Sequence, residues 1–341
     1  MITAPPEGSE PSPVSRYAEQ GRARRVTNVL FRRPETTIAV VLVILLAYFS
    51  IRNSAFYSYA NVVTMLQYVA PIAVIGAGEV LLLDLAEIDL SAGQVFLTAP
   101  WFVVLLHQHS VPLGWGIAIS LLGCIAIGAV NGGLTVWLRV PSFVATLGTN
   151  YVLAGFVLIG SNDIQTDMVG TTGKFGAWVG ISNWSEPACA LIVVLLVWAM
   201  LKGTAFGVHI TATGGNQLGA EEAGIPVRTI KIMCFIIIAL ISGIIGIFDS
   251  IRIGSLDPAA PGLTEMLSGV SAAVIGGTAL TGGKATVLGT LIGAIVLGVL
   301  EDGFNLIGVS ANWFILVEGA VILLAMAVNV QIGRATSASP S

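Results

Sequence analysis

The sequence predicts an all-α membrane protein with about ten transmembrane helices, and three observations carry that prediction. Of 341 residues, 55% are hydrophobic and 10% charged, whereas about a quarter of a soluble protein's residues are charged. The apolar residues run in blocks of roughly 16 to 24, close to the ~20 that a helix needs to cross ~30 Å of hydrocarbon. Lys and Arg fall almost entirely in alternate connections between the blocks, as they do in cytoplasmic loops.

Residues 1–35 are rich in Pro, Ser and Glu, then in Arg, and hold no apolar stretch ending in a small-residue cleavage site. A disordered cytoplasmic tail is expected there, not a signal peptide. Residues 36–330 form the polytopic domain. Its spans are expected near 37–52, 62–83, 91–107, 113–136, 141–160, 187–202, 230–250, 264–280, 284–303 and 312–330. Residues 331–341 make a second cytoplasmic tail.

Ten spans with both termini inside place Arg16, Arg22, Arg24, Arg25, Arg32, Arg33, Arg139, Lys202, Arg228, Lys231, Lys284 and Arg334 in the cytoplasm. Only Arg52, Lys174 and Arg252 then lie outside, the asymmetry that sets orientation. The outer loop 161–186 carries Asp163, Asp167 and Trp178 and suits an external partner. The inner loop 203–229 is polar and Gly-rich. Within it Asn216–Ala223 reads as a short helix, with Gly224 as its stop and Pro226 beyond.

Fragments also align at an offset of 170 residues: Gly128, Gly133 and Phe143 fall opposite Gly298, Gly303 and Trp313. A shift of five spans reverses direction through the membrane, so the match suggests inverted five-helix repeats of the transporter kind. Chance similarity between Gly-rich helices is the competing explanation. The 40 glycines include pairs at four-residue spacing, Gly128 with Gly132 and Gly289 with Gly293. Such pairs let helix backbones approach closely, and ordinary tight packing explains them better than a dedicated dimer face.

Cys124, Cys189 and Cys234 are dispersed and suggest neither disulfide nor metal site. His107, His109 and His209 are too scattered for a metalloenzyme, and the two at the end of span three suit the interface. No nucleophile and base share a predicted layer, so no catalytic residue is expected. The stretch Gly277–Lys284, GTALTGGK, fails as a phosphate loop. Gly283 stands where Lys is required, no Ser or Thr follows Lys284, and the stretch follows a helix instead of a strand. It reads as a tight inner turn.

Glu79, Asp249 and Glu318 are the intramembrane carboxylates that ion coupling would need. Asp249 sits near the outer, aqueous end of its span, Glu79 and Glu318 lie deeper without an evident basic partner in sequence, and a structural polar contact is the favoured role for each. The segment Glu87–Gly93, EIDLSAG, interrupts the apolar run. Asp89 or Ser91 suits a helix cap, and a broken helix lining a cavity is equally compatible.

Four segments together resemble a family: EIDLSAG at 87–93, NGGLTVWLRVPSFVATLGT at 131–149, TAFGVHITATGGNQLGAEEAGI at 204–225, and AAVIGGTALTGGKATVLGTLIGA at 272–294. The chain is similar, from about 36 to 330, to the ribose and xylose type of ABC sugar-importer permeases, which are branched-chain-transporter-like inner-membrane subunits. The resemblance implies a dimer of two permease copies in the bacterial cytoplasmic membrane. It also implies an extracytoplasmic sugar-binding protein and a separate subunit that binds ATP and Mg, with no cofactor in this chain and no nucleic-acid partner. Gly214, Gly215, Asn216, Gln217, Ala220, Glu221, Glu222 and Gly224 would then belong to the segment that docks the ATPase. Val208 after Gly207, Ala279, Ala285 and Glu87 depart from the commonest family pattern, which leaves the sugar open.

A hydroxyl-rich solute needs hydrogen-bonding side chains without fixed charge. Ser91, Gln94, Asn131, Thr146, Thr149 and Asn150 are the inward-facing candidates, with Asp89 and Phe143 beside them on the pathway. The alternative is an ion-coupled transporter or channel for a small polar solute, with Glu79 and Glu318 as its ion sites.

Overall fold

The structure is a computed structural model and describes residues 34–168, 183–260, 262–310, 313–320 and 323. Eleven named helices run in order: α1 Pro34–Arg52, α2 Tyr59–Asp84, α3 Ala92–Gln108, α4 Leu113–Val136, α5 Ser142–Ser161, α6 Ser185–Gly203, α7 Ala205–Gly215, α8 Gln217–Glu222, α9 Val227–Ile253, α10 Gly262–Ile275 and α11 Val287–Leu306. A 3-10 turn, Ser54–Tyr57, separates α1 from α2. Two-residue strands, Thr166–Asp167 and Ser255–Leu256, pair antiparallel across one end of the bundle.

Each of the first nine segments expected to span corresponds to a helix. Six of them, α2, α4, α5, α6, α9 and α11, are long and apolar enough to cross a membrane. The tenth, 312–330, is described at 313–320 and 323, where it is helical. The expected tails, and loop positions 169–182 with Lys174 and Trp178, lie outside the described residues.

The eighth segment differs from expectation. Helix α10 ends at Ile275, five residues short of the expected 280, because Gly277 takes a left-handed φ of 94° and turns the chain. At 1.5 Å per residue, its 14 residues reach about 21 Å, short of a bilayer's ~30 Å. Helix α3, with 17 residues, is also short.

Helix α2 is the most buried of the six long helices. Its Ile75, Leu81 and Leu82 join Phe235, Ile238 and Ile245 of α9, Met266 of α10 and Leu297 of α11 as fully buried side chains. Helices α4 and α5 instead expose apolar residues such as Leu122, Val130 and Val152, as lipid-facing helices do. The glycine pairs pack within the chain. Gly128 and Gly132 lie against Phe235, Ile236 and Ile232 of α9, and Gly289 and Gly293 against Gly276 and Ala272 of the α10 end. A Cβ at any of the four would strike backbone, so these are close helix crossings of the protomer itself.

Candidate functional site

After Asp84 the chain leaves the helical path and folds back along α2. The Asp89 amide donates to the Glu79 carboxylate at 3.4 Å, five residues before α2 ends. Helix α3 therefore starts beside the body of α2. Its start is not capped in the expected way: Ser91 occupies the N-cap position, but no side chain bonds the first turn. The Ser91 hydroxyl and amide both donate to Asp89 Oδ1, at 2.6 and 2.8 Å.

That carboxylate anchors a buried polar network. Asn131 Nδ2 of α4 donates to Ser91 Oγ at 2.8 Å and lies 3.4 Å from both Asp89 oxygens. Thr149 Oγ1 of α5 donates to Asn131 Oδ1 at 2.6 Å. The Leu90 amide donates to Thr146 Oγ1 at 3.0 Å, and the Ile88 amide to Ser142 Oγ at 3.3 Å. Asp89, Ser91, Asn131 and Thr146 are each 0% exposed. Five of the residues expected on the pathway are thus joined in one structure that fixes the re-entrant segment to α4 and α5. A satisfied network of this kind specifies one backbone arrangement, since each unpaired member would be costly.

Gln94 and Asn150 are buried but stand outside that network. Gln94 Nε2 and Asn150 Oδ1 have no hydrogen-bond partner among the described residues. Phe143 stands apart: at 54% exposed, it lies on the outer surface of α5. Helix α10 meets α3 at this level, because Gly93 and Gly262 touch backbone to backbone and a Cβ on Gly93 would collide with the Gly262 carbonyl. Two short helices therefore begin side by side within the bundle.

The expected inner helix is present as α8. Asn216 caps it by accepting from the Gly219 amide at 3.0 Å, and Gly224 ends it at φ 82°. Gln217, Leu218, Glu221 and Glu222 are exposed, while Ala220 is buried. Leu218, 67% exposed on a polar hexamer, was not among the expected residues, though an isolated leucine between Gln217 and Gly219 was the available signal.

The root of this segment is locked. The Asp84 carbonyl accepts from the Gly283 amide at 2.9 Å, and the Asp84 carboxylate accepts from Thr211 Oγ1 of α7 at 2.8 Å. Gly214 packs so closely on the Asp84 carbonyl that no Cβ fits. The turn 277–284 is thus a third partner in a junction of α2, α7 and itself. Lys231 of α9 adds a second tie, donating to Glu87 at 2.6 Å and to Gln217 at 3.1 Å, while Gln217 donates to Glu221 at 3.1 Å. Sequence reading missed these links because their members are far apart along the chain.

At the opposite end of the bundle, Arg252 pairs with Glu186 and Asp249. Asp249 is 8% exposed, so it is a buried ion-pair member, correcting the expectation of an aqueous position. Asn61 donates to Asp302 at 2.7 Å and Ser268 to Glu318 at 2.7 Å. Glu79 and Glu318 therefore both hold polar contacts with neighbouring segments.

Apolar helices of membrane length, two helices beginning between them and a polar network at that start define a multi-pass membrane protein. The chain belongs to the family described as the permease component of branched-chain amino acid transport systems, whose model matches residues 61–326. It is a multi-pass inner-membrane protein. It is 32% identical over 323 residues to the xylose/arabinose import permease protein XylH of Sulfolobus acidocaldarius, covering 91% of this chain and 88% of that protein. It is 34% identical over 296 residues to the ribose import permease protein RbsC of Escherichia coli K12, covering 85% and 92%. It is 33% identical over 328 residues to the L-arabinose ABC transporter permease protein AraH of Azospirillum brasilense, covering 94% of each. No solved structure matches.

Proposed function

We propose that this chain is the permease subunit of an ATP-driven ABC importer for a monosaccharide of the ribose or xylose kind. The carrying observation is α8, which exposes Leu218 and two carboxylates while its root is tied to α2 and the 277–284 turn. A separate ATPase, binding ATP and Mg, docks on Gly214–Gly224. Force on α8 passes through Asp84 and Lys231 to the re-entrant segment. A second permease copy completes the passage, an external sugar-binding protein delivers the solute, and lipid surrounds α4 and α5. This chain itself is non-catalytic.

The arrangement carries ten spans in two inverted five-helix repeats with both termini cytoplasmic. Two observations support it. An offset of 170 places Ala92, the start of α3, opposite Gly262, the start of α10, and brings α2 and α4 against α9 and α11 within a few residues. Arg139, Lys202, Arg228, Lys231 and Lys284 gather at the α8 end, whereas Arg52 and Arg252 are the described Lys and Arg residues of the other. The solute passes the starts of α3 and α10, where Gln94 and Asn150 retain hydrogen-bonding capacity.

The test is sugar uptake by the permease reconstituted with a cassette ATPase and binding protein, against Leu218→Asp. The expected result is loss of ATP-dependent uptake and of ATPase copurification, with unchanged thermal unfolding of the permease. Normal uptake by that variant, or uptake by the chain alone under an ion gradient, would overturn the reading.

A further inference from the structure

A cavity of about 350 Å³ opens between the ends of α4 and α9 and the underside of α8, lined by Thr135, Val136, Arg139, Gln217, Glu221, Val227, Arg228 and Lys231. Three of these side chains are cationic and one is anionic. Lys231 is engaged by Glu87 and Gln217. Arg139 and Arg228 have no ion-pair partner among the described residues.

Three further features point the same way. Helix α9 begins at Val227, on the cavity wall, and no side chain caps its first turn, so the positive end of a 27-residue helix dipole adds to the guanidinium charges. Arg139 follows the end of α4 and is held at a left-handed φ of 56°, which the sharp turn into α5 imposes. Trp137 and Leu138, 69% and 68% exposed, sit immediately before it. An exposed Trp beside a basic residue at the end of a lipid-facing helix marks headgroup depth.

We propose that this cavity binds a phosphate group, and that its source is the headgroup of an anionic phospholipid in the surrounding leaflet. Basic pockets between transmembrane helices at the cytoplasmic surface suit such headgroups, and the exposed apolar flank of α4 at Val130 receives an acyl chain. Arg139 and Arg228 hold the phosphate, and the α9 amide end completes the cradle. Gln217 and Glu221 form the opposite wall, so the bound headgroup lies directly beneath α8 and braces it against the membrane. Lipid binding at this place does not depend on which solute the chain carries.

The experiment measures phospholipid retention by the full-length purified chain in native mass spectrometry, with phosphatidylglycerol and phosphatidylcholine offered at equal concentration. The wild type should retain phosphatidylglycerol preferentially. Arg139→Gln and Arg228→Gln should each reduce that preference about fivefold, and Lys284→Gln, a basic residue outside the cavity, should leave it unchanged. Thermal unfolding of each variant checks the fold, and a glutamine variant that unfolds early is replaced by Arg139→Ser or Arg228→Ser, which also removes the charge and should reduce the preference equally. No preference in the wild type, an unaltered preference in both arginine variants, or an equal loss in Lys284→Gln overturns the proposal. Displacement of phosphatidylglycerol by millimolar inorganic phosphate would assign the cavity to free phosphate and overturn the lipid source.

Discussion

Gly93 and Gly262, 169 positions apart, lie backbone against backbone where α3 and α10 begin, and no side chain fits between them. Gly93→Ala should therefore push the two helix starts apart at a cost of about 1–3 kcal/mol. Thermal unfolding in detergent should register the loss, and sugar uptake should fall with it. A Gly93→Ala protein with wild-type unfolding would show that the two starts are not held in this contact.

The network around Asn131 makes a graded prediction. Thr149→Val deletes one hydrogen bond and should cost about 1 kcal/mol. Asn131→Leu strips partners from Ser91 and Thr149 together and should cost about 2–3 kcal/mol. In a double-mutant cycle the two changes should be strongly non-additive, because they share a bond. Simple additivity would mean that Thr149 and Asn131 act separately.

Lys231 and Glu87 are paired with side chains only 13% and 14% exposed. Glu87→Gln should cost about 1–3 kcal/mol, since a mostly buried ammonium loses its counter-charge. Adding Lys231→Met should recover part of that loss. Unfolding midpoints of the single and double variants decide the matter: a double variant no better than Glu87→Gln alone would sink the pairing argument.

Adjacent glycines separate two roles in the inner segment. A Cβ on Gly215 meets nothing within 4 Å, whereas one on Gly214 strikes the Asp84 carbonyl. Gly215→Ala should leave stability within about 0.5 kcal/mol of wild type, while Gly214→Ala should lower both the unfolding midpoint and uptake. Equal behaviour of the two variants would contradict the junction.

Orientation is testable with single cysteines placed at Glu222 and Asp163 after Cys124, Cys189 and Cys234 are replaced. A membrane-impermeant maleimide applied to intact cells should label Asp163→Cys. It should reach Glu222→Cys only after the membrane is broken. The reverse pattern would invert the assignment.

What the sequence reveals here is governed by distance along the chain. Helix α8 was legible because its cap, its stop at Gly224 and Pro226 are all local signals. Helices α4 and α11 were legible from hydrophobic length. Asp89, Ser91, Asn131, Thr146 and Thr149 could be chosen by chemical type, but nothing in the sequence said that they bond to one another. Ser91 resembled a cap until Asp89 claimed its hydroxyl. The end of α10 was misplaced because apolar residues continue past Ile275, and only the left-handed turn at Gly277 shows where the helix stops. Glu87 and Lys231, separated by 144 positions, gave no sign of pairing.

The Asp84 carbonyl has a consequence for how such chains change over time. It accepts from the Gly283 amide and blocks any Cβ on Gly214, while Gly283, at a φ of 74°, would bring a Cβ within 3.0 Å of the Gly215 backbone, so neither glycine readily acquires a side chain while the other segment keeps its place. The 203–229 loop and the 277–284 turn thus form one heritable unit despite the two helices, α9 and α10, between them. A chimera that borrows the loop from a relative should assemble only when it borrows the turn as well.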